Sequence, residues 1–199
     1  MRKADLETIL NQIDEFREYH IKVRARFPFM DNKIFGFTSV ESPWFYKKYN
    51  IHLHLNFSSP IDEVISEENN AIGHFINQNF IIRLFAILDF YGFVGGNAAL
   101  VRDSPGYTDV FILKELRNKF AHSLGRYNPK KSKHKKLRAL IISHYGLDVG
   151  EYNDFPLNVN EVMSPLVDGC KAYITYNYEN LTPRRKRSIL NLFGCVRGV

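Results

Sequence analysis

Residues Glu115 to Gly125 read ELRNKFAHSLG. They end a segment, Thr108 to Leu124, in which Phe111, Leu113, Leu116 and Phe120 recur at the spacing of a helix with one buried face. Thr108 is expected to cap this helix, Asp109 to lie in its first turn and Gly125 to stop it. On it, Arg117 and His122 lie about 140° apart and about 7.5 Å along the axis. Asn118 and His122 share one stripe, and the small Ala121 leaves room for another chain or a ligand. His122 stands in the last turn, where the helix dipole favours a protonated imidazole and nearby cations oppose it. A histidine poised near neutrality can take and give protons. The structural alternative gives Arg117 a carboxylate partner on a neighbouring helix and leaves His122 as a simple cap.

The segments around it also read as helices. Ala4 to Val23 puts Leu6, Ile9, Leu10, Ile13, Phe16, His20 and Val23 on one side. An aromatic-rich insertion follows, about residues 24–58, with RFPFMDNKIFGF and SPWFYKKYN showing no period. Its end, NIHLHLNF, alternates and predicts a short extended segment. His52 and His54 share a face there, but no third ligand accompanies them at metal spacing, so they read as exposed polar positions. Ser59 and Pro60 signal the start of a helix running through NNAIGHFINQNFIIRLFAILDFYGFV. Apolar residues cover most of its circumference, so it is expected to be central and the most buried. Arg83 and Asp89 on it are either paired in the core or at the edge of a cleft. Lys131 to Tyr145 predicts a helix with Leu137, Leu140 and Ile141 inward. Asn158 to Asn180 predicts another, with Met163, Leu166, Val167, Cys170, Tyr173 and Ile174 at core spacing and Pro165 at its true start or a kink. Thr182 and Pro183 open a basic tail over 181–199. The expected fold is all-α: one domain spanning 1–199, an up-and-down helical bundle carrying the insertion.

Composition narrows the class. Hydrophobic residues make up 45% of the 199 and charged ones 24%, a globular balance. Cys170 and Cys195 are too few for a disulfide scaffold and have no metal-ligand spacing, so a reducing cytoplasm is expected. The N-terminus reads as helix rather than signal peptide, and the apolar run Phe80 to Val94, holding Arg83 and Asp89, is too short and too charged to span a bilayer. The net charge of +6 is uneven: Asn128 to Tyr145 holds six Lys/Arg and no acid, and 181–199 holds five and no acid. Without those eleven, the other 16 basic residues face all 21 acids, a balance of −5. Basic segments on an acidic body suggest an anionic partner, nucleic acid first.

The string Arg117-Asn118-Lys119-Phe120-Ala121-His122 resembles the hallmark of the HEPN superfamily. That hallmark is an Arg, four to six intervening residues and a His, often with a polar residue directly after the Arg. In architecture the resemblance covers about residues 60 to 180; in specific residues it is the hexapeptide. Arg138 and His144 also satisfy the loose spacing. They are set aside because His144 continues the Leu137/Leu140/Ile141 core face and no Asn or Asp follows Arg138.

The resemblance implies an all-α homodimer that brings two such helices together. It also implies a metal-independent endoribonuclease without cofactors, of toxin, phage-defence or RNA-processing type, to which an antitoxin or defence partner would belong. Two His122 side chains would act as base and acid, two Arg117 guanidiniums would hold the phosphate, and Asn118 would orient His122 or a ribose hydroxyl. Lys119, Arg126, Lys130, Lys131, Lys133, Lys135 and Lys136 would attract the RNA backbone. The family also contains inactive members that bind RNA or protein, which is the alternative function. Toxins paired with nucleotidyltransferases tend to carry a Tyr two residues after the His. Here that position is Leu124, so the chain departs from that subgroup.

Overall fold

The computed structural model describes residues 2–27, 40–41, 54–55, 63–95, 99–122, 127–148 and 154–179. Among these, five α-helices form: α1 (Arg2–Arg24), α2 (Glu63–Phe90), α3 (Tyr107–His122), α4 (Ser132–Tyr145) and α5 (Ser164–Glu179). A π-helical turn, Val159–Met163, leads into α5. A two-residue strand pair, β1 (Val40–Glu41) and β2 (His54–Leu55), sets Val40 opposite Leu55 in antiparallel register, so the fold is all-α apart from it. Residues 28–39, 42–53 and 56–62, which hold most of the aromatic-rich insertion and the Ser59/Pro60 helix start, the side chain of His54, and the tail 181–199 lie outside the described residues. Two compact units divide the chain: Met1–Ile13 with Ile81–Val199, and Asp14–Phe80.

The Asp14–Phe80 unit is organised by one ring. Phe16 stacks on Phe80 with centroids 4.8 Å apart, and His20 lies against the same ring at 4.2 Å. His20 Nε2–H donates to Asn77 Oδ1 at 3.0 Å, both side chains being buried. Burial pushes the imidazole down from its ordinary 6.5 to about 4, although the bond to Asn77 works the other way. A histidine fits an apolar stripe here because it is kept neutral and its one buried donor is satisfied.

The expectation that α2 would be the most buried helix is corrected. Ile81, Leu84, Phe85 and Leu88 are buried, yet Val64, Ile72 and Phe90 are exposed, and Phe75 is 64% exposed. Arg83 and Asp89 sit on the exposed side rather than paired in the core. The apolar residues cover more of the circumference than the packed helices can shield. The helix is also longer than the run Phe80 to Val94. Ser66–Phe90, 25 residues with mean hydropathy 1.3, is long and apolar enough to cross a membrane by length and composition. The helix stops before Val94 because Gly92, at φ 74°, reverses the chain. Gly92 N–H reaches Asp89 O and Phe93 N–H reaches Leu88 O, each at 2.9 Å, and the buried Phe93 completes this left-handed cap. Gly146 at φ 64° ends α4 in the same way, with Leu147 N–H on Ile142 O at 3.0 Å.

In the other unit, α3 and α5 pack most intimately. Val110, Ile112, Leu113 and Leu116 of α3 and Leu166, Val167, Cys170, Tyr173 and Ile174 of α5 are all buried. Each large apolar side chain so buried contributes about 1.5–3 kcal/mol of transfer free energy. The close approach depends on two glycines. A Cβ on Gly106 would overlap the backbone of Gly169, and a Cβ on Gly169 would overlap the Asp109 carboxyl. Gly106, at φ 72°, also starts α3: its carbonyl accepts from Val110 N–H at 3.0 Å. Thr108 therefore lies inside the helix and does not cap it. At α5, Pro165 follows a widened turn in which Met163 N–H bonds Asn158 O at 2.9 Å. That i→i+5 geometry relieves the clash of a proline ring with the carbonyl four residues back.

Gly169→Ala is expected to destabilise the chain by about 1–3 kcal/mol through overpacking, although alanine is the better helix former by about 1 kcal/mol. Urea unfolding measures this, and a stabilised variant would remove the tight crossing. A second expectation concerns His20. Its folded pKa is depressed, so the unfolded chain binds the extra proton first as pH falls. Stability is then fully present above about 6.5 and is lost between 6.5 and 4, by about 3 kcal/mol. His20→Phe should flatten that part of the stability–pH curve.

Candidate functional site

Helix α3 is clamped on its inner side by Leu113, Leu116 and Phe120, which leaves Arg117, Asn118 and Lys119 half-buried and Ala121 exposed. Arg117 Nη1–H donates to Asn118 Oδ1 at 3.2 Å, and its guanidinium carbon lies 5.1 Å from the centre of the Phe85 ring. The Arg117 guanidinium is thus held by a neutral amide and by an aromatic face, a geometry that fixes it without neutralising it. Among the described residues no carboxylate pairs with Arg117, unlike the structural alternative. His122 closes α3, but its side chain and all of Arg126 lie outside the described residues.

Beyond the helix end the chain returns at Tyr127. Phe120 packs edge-on against the buried Phe155, with centroids 6.3 Å apart, and Phe155 packs edge-on against Tyr127 at 5.4 Å. His134 of α4 joins the cluster, 5.6 Å from Phe155. It is 3% exposed, and its Nδ1 accepts from Asn128 N–H at 3.0 Å, which requires a neutral ring with the proton on Nε2. Burial, then the charges of Lys119 and Lys131, lower its pKa, and Asp154 opposes them. Sequence reasoning passed over His134 as part of a lysine run. The missed signal is that His134, Leu137 and Ile141 fall on one helical stripe, and all three are buried.

The lysines divide accordingly. Lys130, Lys131, Lys133, Lys135 and Lys136 are exposed, while Lys119 is half-buried. Lys131 occupies the N-cap of α4 with no side-chain cap and no acid in the first turn. Lys119 and Lys131 both act on His134, Lys130 precedes α4, and Lys133, Lys135 and Lys136 are exposed on it.

His144 is not on the core face, which corrects the reason for setting it aside. It is exposed, and its Nε2–H donates to Asp109 Oδ1 at 3.1 Å, where Tyr145 O–H also donates at 2.8 Å. The α4 stripe turns outward after Ile141, and the buried Asp109 of α3 draws both polar residues back. Burial, then the Asp109 charge, raises the pKa of Tyr145 and of the wholly buried Cys170. Among the described residues no three of His, Cys, Asp and Glu group as a metal would require. Compared with protein-family models, with curated protein sequences and with solved structures, the chain finds no significant match.

His144→Ala is expected to cost about 1–2 kcal/mol because it removes one of two donors to a buried carboxylate. Tyr145→Phe should act on the same oxygen, so the double variant should not show the sum of the single losses. Urea unfolding of the three variants checks this; strictly additive losses would mean that the two donors do not share Asp109.

Proposed function

We propose that the chain is a metal-independent endoribonuclease of HEPN type, working as a homodimer and cutting RNA through the ribose 2′-OH. The observation that supports this most is the state of Arg117. It is half-exposed, oriented by Asn118 and Phe85, free of any carboxylate among the described residues, and on the same helix that ends at His122. An arginine held in that way is suited to a phosphate with two oxygens to offer.

In the proposed reaction one His122 takes the 2′-OH proton, and the oxygen attacks the adjacent phosphorus. The bond to the 5′-oxygen breaks, and the partner copy's His122 supplies the proton to that leaving group. Charge building on the phosphorane oxygens is met by Arg117 from each copy. Lys119 and the exposed lysines of α4 attract the strand without reading its sequence. A homodimer is part of the proposal because one helix offers one imidazole where base and acid are both needed.

Purified protein should cleave RNA in EDTA and leave 2′,3′-cyclic phosphate ends, while DNA is bound and not cut. His122→Ala should abolish cleavage with the fold intact, and Arg117→Ala should slow it by about 10²–10³. Cleavage that survives His122→Ala or needs magnesium would overturn the nuclease and leave RNA binding alone. Replacing Lys130, Lys131, Lys133, Lys135 and Lys136 by Gln together should weaken binding and flatten its salt dependence. Unchanged affinity and slope would reduce these residues to a solvated face.

A further inference from the structure

The cluster past the end of α3 contains one buried donor that the proposed reaction does not use. Arg138 of α4 holds its guanidinium carbon 5.8 Å from the centre of the Tyr127 ring. Its Nε is buried without a hydrogen-bond partner. A buried donor left unpaired costs free energy, and a lysine at this position on a basic helix face could keep its charge solvated. What the arginine provides is a plane. Phe155 is buried, and Tyr127 and Arg138 beside it are half-buried.

Tyr127 is held at its backbone and at its ring. Its N–H donates to Asp154 Oδ1 at 3.2 Å, and its ring rests edge-on against Phe155 at an interplanar angle of 85°. The acid beside it is engaged: Asp154 Oδ1 also accepts from Phe155 N–H at 2.7 Å. The charges of Lys119 and Lys131 both act on His134 in this cluster, opposed by that of Asp154. A rigid aromatic ring, a planar cation and surrounding lysines are what an unpaired nucleobase and its flanking phosphates call for.

We infer that Tyr127 and Arg138 form a stacking subsite for an unpaired base, so that the RNA bound at the end of α3 is single-stranded there. The inference rests on the RNA-binding reading of that helix end and adds the class of substrate. Duplex RNA, with its bases stacked on each other, cannot fill it without opening.

The test uses the full-length His122→Ala protein, which separates binding from cleavage, and a short single-stranded oligoribonucleotide carrying one 2-aminopurine. Binding should quench the probe by stacking, and the same strand annealed to its complement should bind more weakly. Tyr127→Leu keeps an apolar side chain against Phe155 but loses the ring, and should weaken single-strand binding about tenfold or more while removing the quench. Tyr127→Phe should behave as the parent. Arg138→Lys keeps the charge and should still lose affinity. Circular dichroism confirms that each variant is folded. If Tyr127→Leu and Arg138→Lys bind and quench as the parent does, or if duplex binds as well as single strand, the subsite is overturned, even where the His122-bearing protein cleaves RNA. If stacking depends on Tyr127 but that protein does not cleave, the nuclease falls and the subsite stands.

Discussion

The crossing of α3 over α5 at Gly106, Asp109 and Gly169 sets the geometry of the larger unit. The backbone of Gly106 lies against that of Gly169, and the Asp109 carboxyl fills the space that any side chain on Gly169 would take. Because there is no slack, the rotation of α3 about its own axis is fixed at its first turn. Asp109 then reaches α4 through His144 and Tyr145, so three helices share one carboxylate. Leaving such a group buried is tolerable only because both donors are present.

The outward placement of the α3 residues in the proposed site follows from that rotation. With Val110, Leu113 and Leu116 turned inward, Arg117 emerges beside Phe85, and Asn118 and Ala121 emerge on the outer side. The buried ring of Phe155 carries the same order past the helix end to Tyr127 and His134. The outer face is therefore ordered by packing alone, which would reduce the ordering cost of the proposed binding.

The helices were legible because their cores repeat at helical spacing. All six inward positions expected between Met163 and Ile174 are buried, as are Leu137 and Ile141. The sequence misled where one residue serves two demands. Thr108 looked like a cap, but the required cap is the glycine two positions earlier, chosen for closeness to α5 rather than for hydrogen bonding. His144 kept the spacing of a core residue, yet the stripe had already turned, and what holds it is a carboxylate 35 positions away. Such a partner leaves no local trace. At the candidate site, Arg117 and Asn118 were visible as a motif and are hydrogen-bonded to each other. The Phe85 ring beneath Arg117, like the Tyr127 and Arg138 layers, comes from tertiary packing and has no sequence period to reveal it.

The start of α4 carries a consequence for solution behaviour. A lysine sits at its N-cap, the first turn holds no acid, and further lysines follow, so the positive end of the dipole is repelled rather than met. Such a helix is frustrated at low ionic strength and relaxed by added ions. Folding of α4 and the proposed attachment of RNA would therefore respond to salt in opposite directions: ions that strengthen the helix would compete with the strand for the same lysines. A bound phosphate chain would stand in for the missing cap and act as a folding ligand, so that occupancy itself tightens the segment.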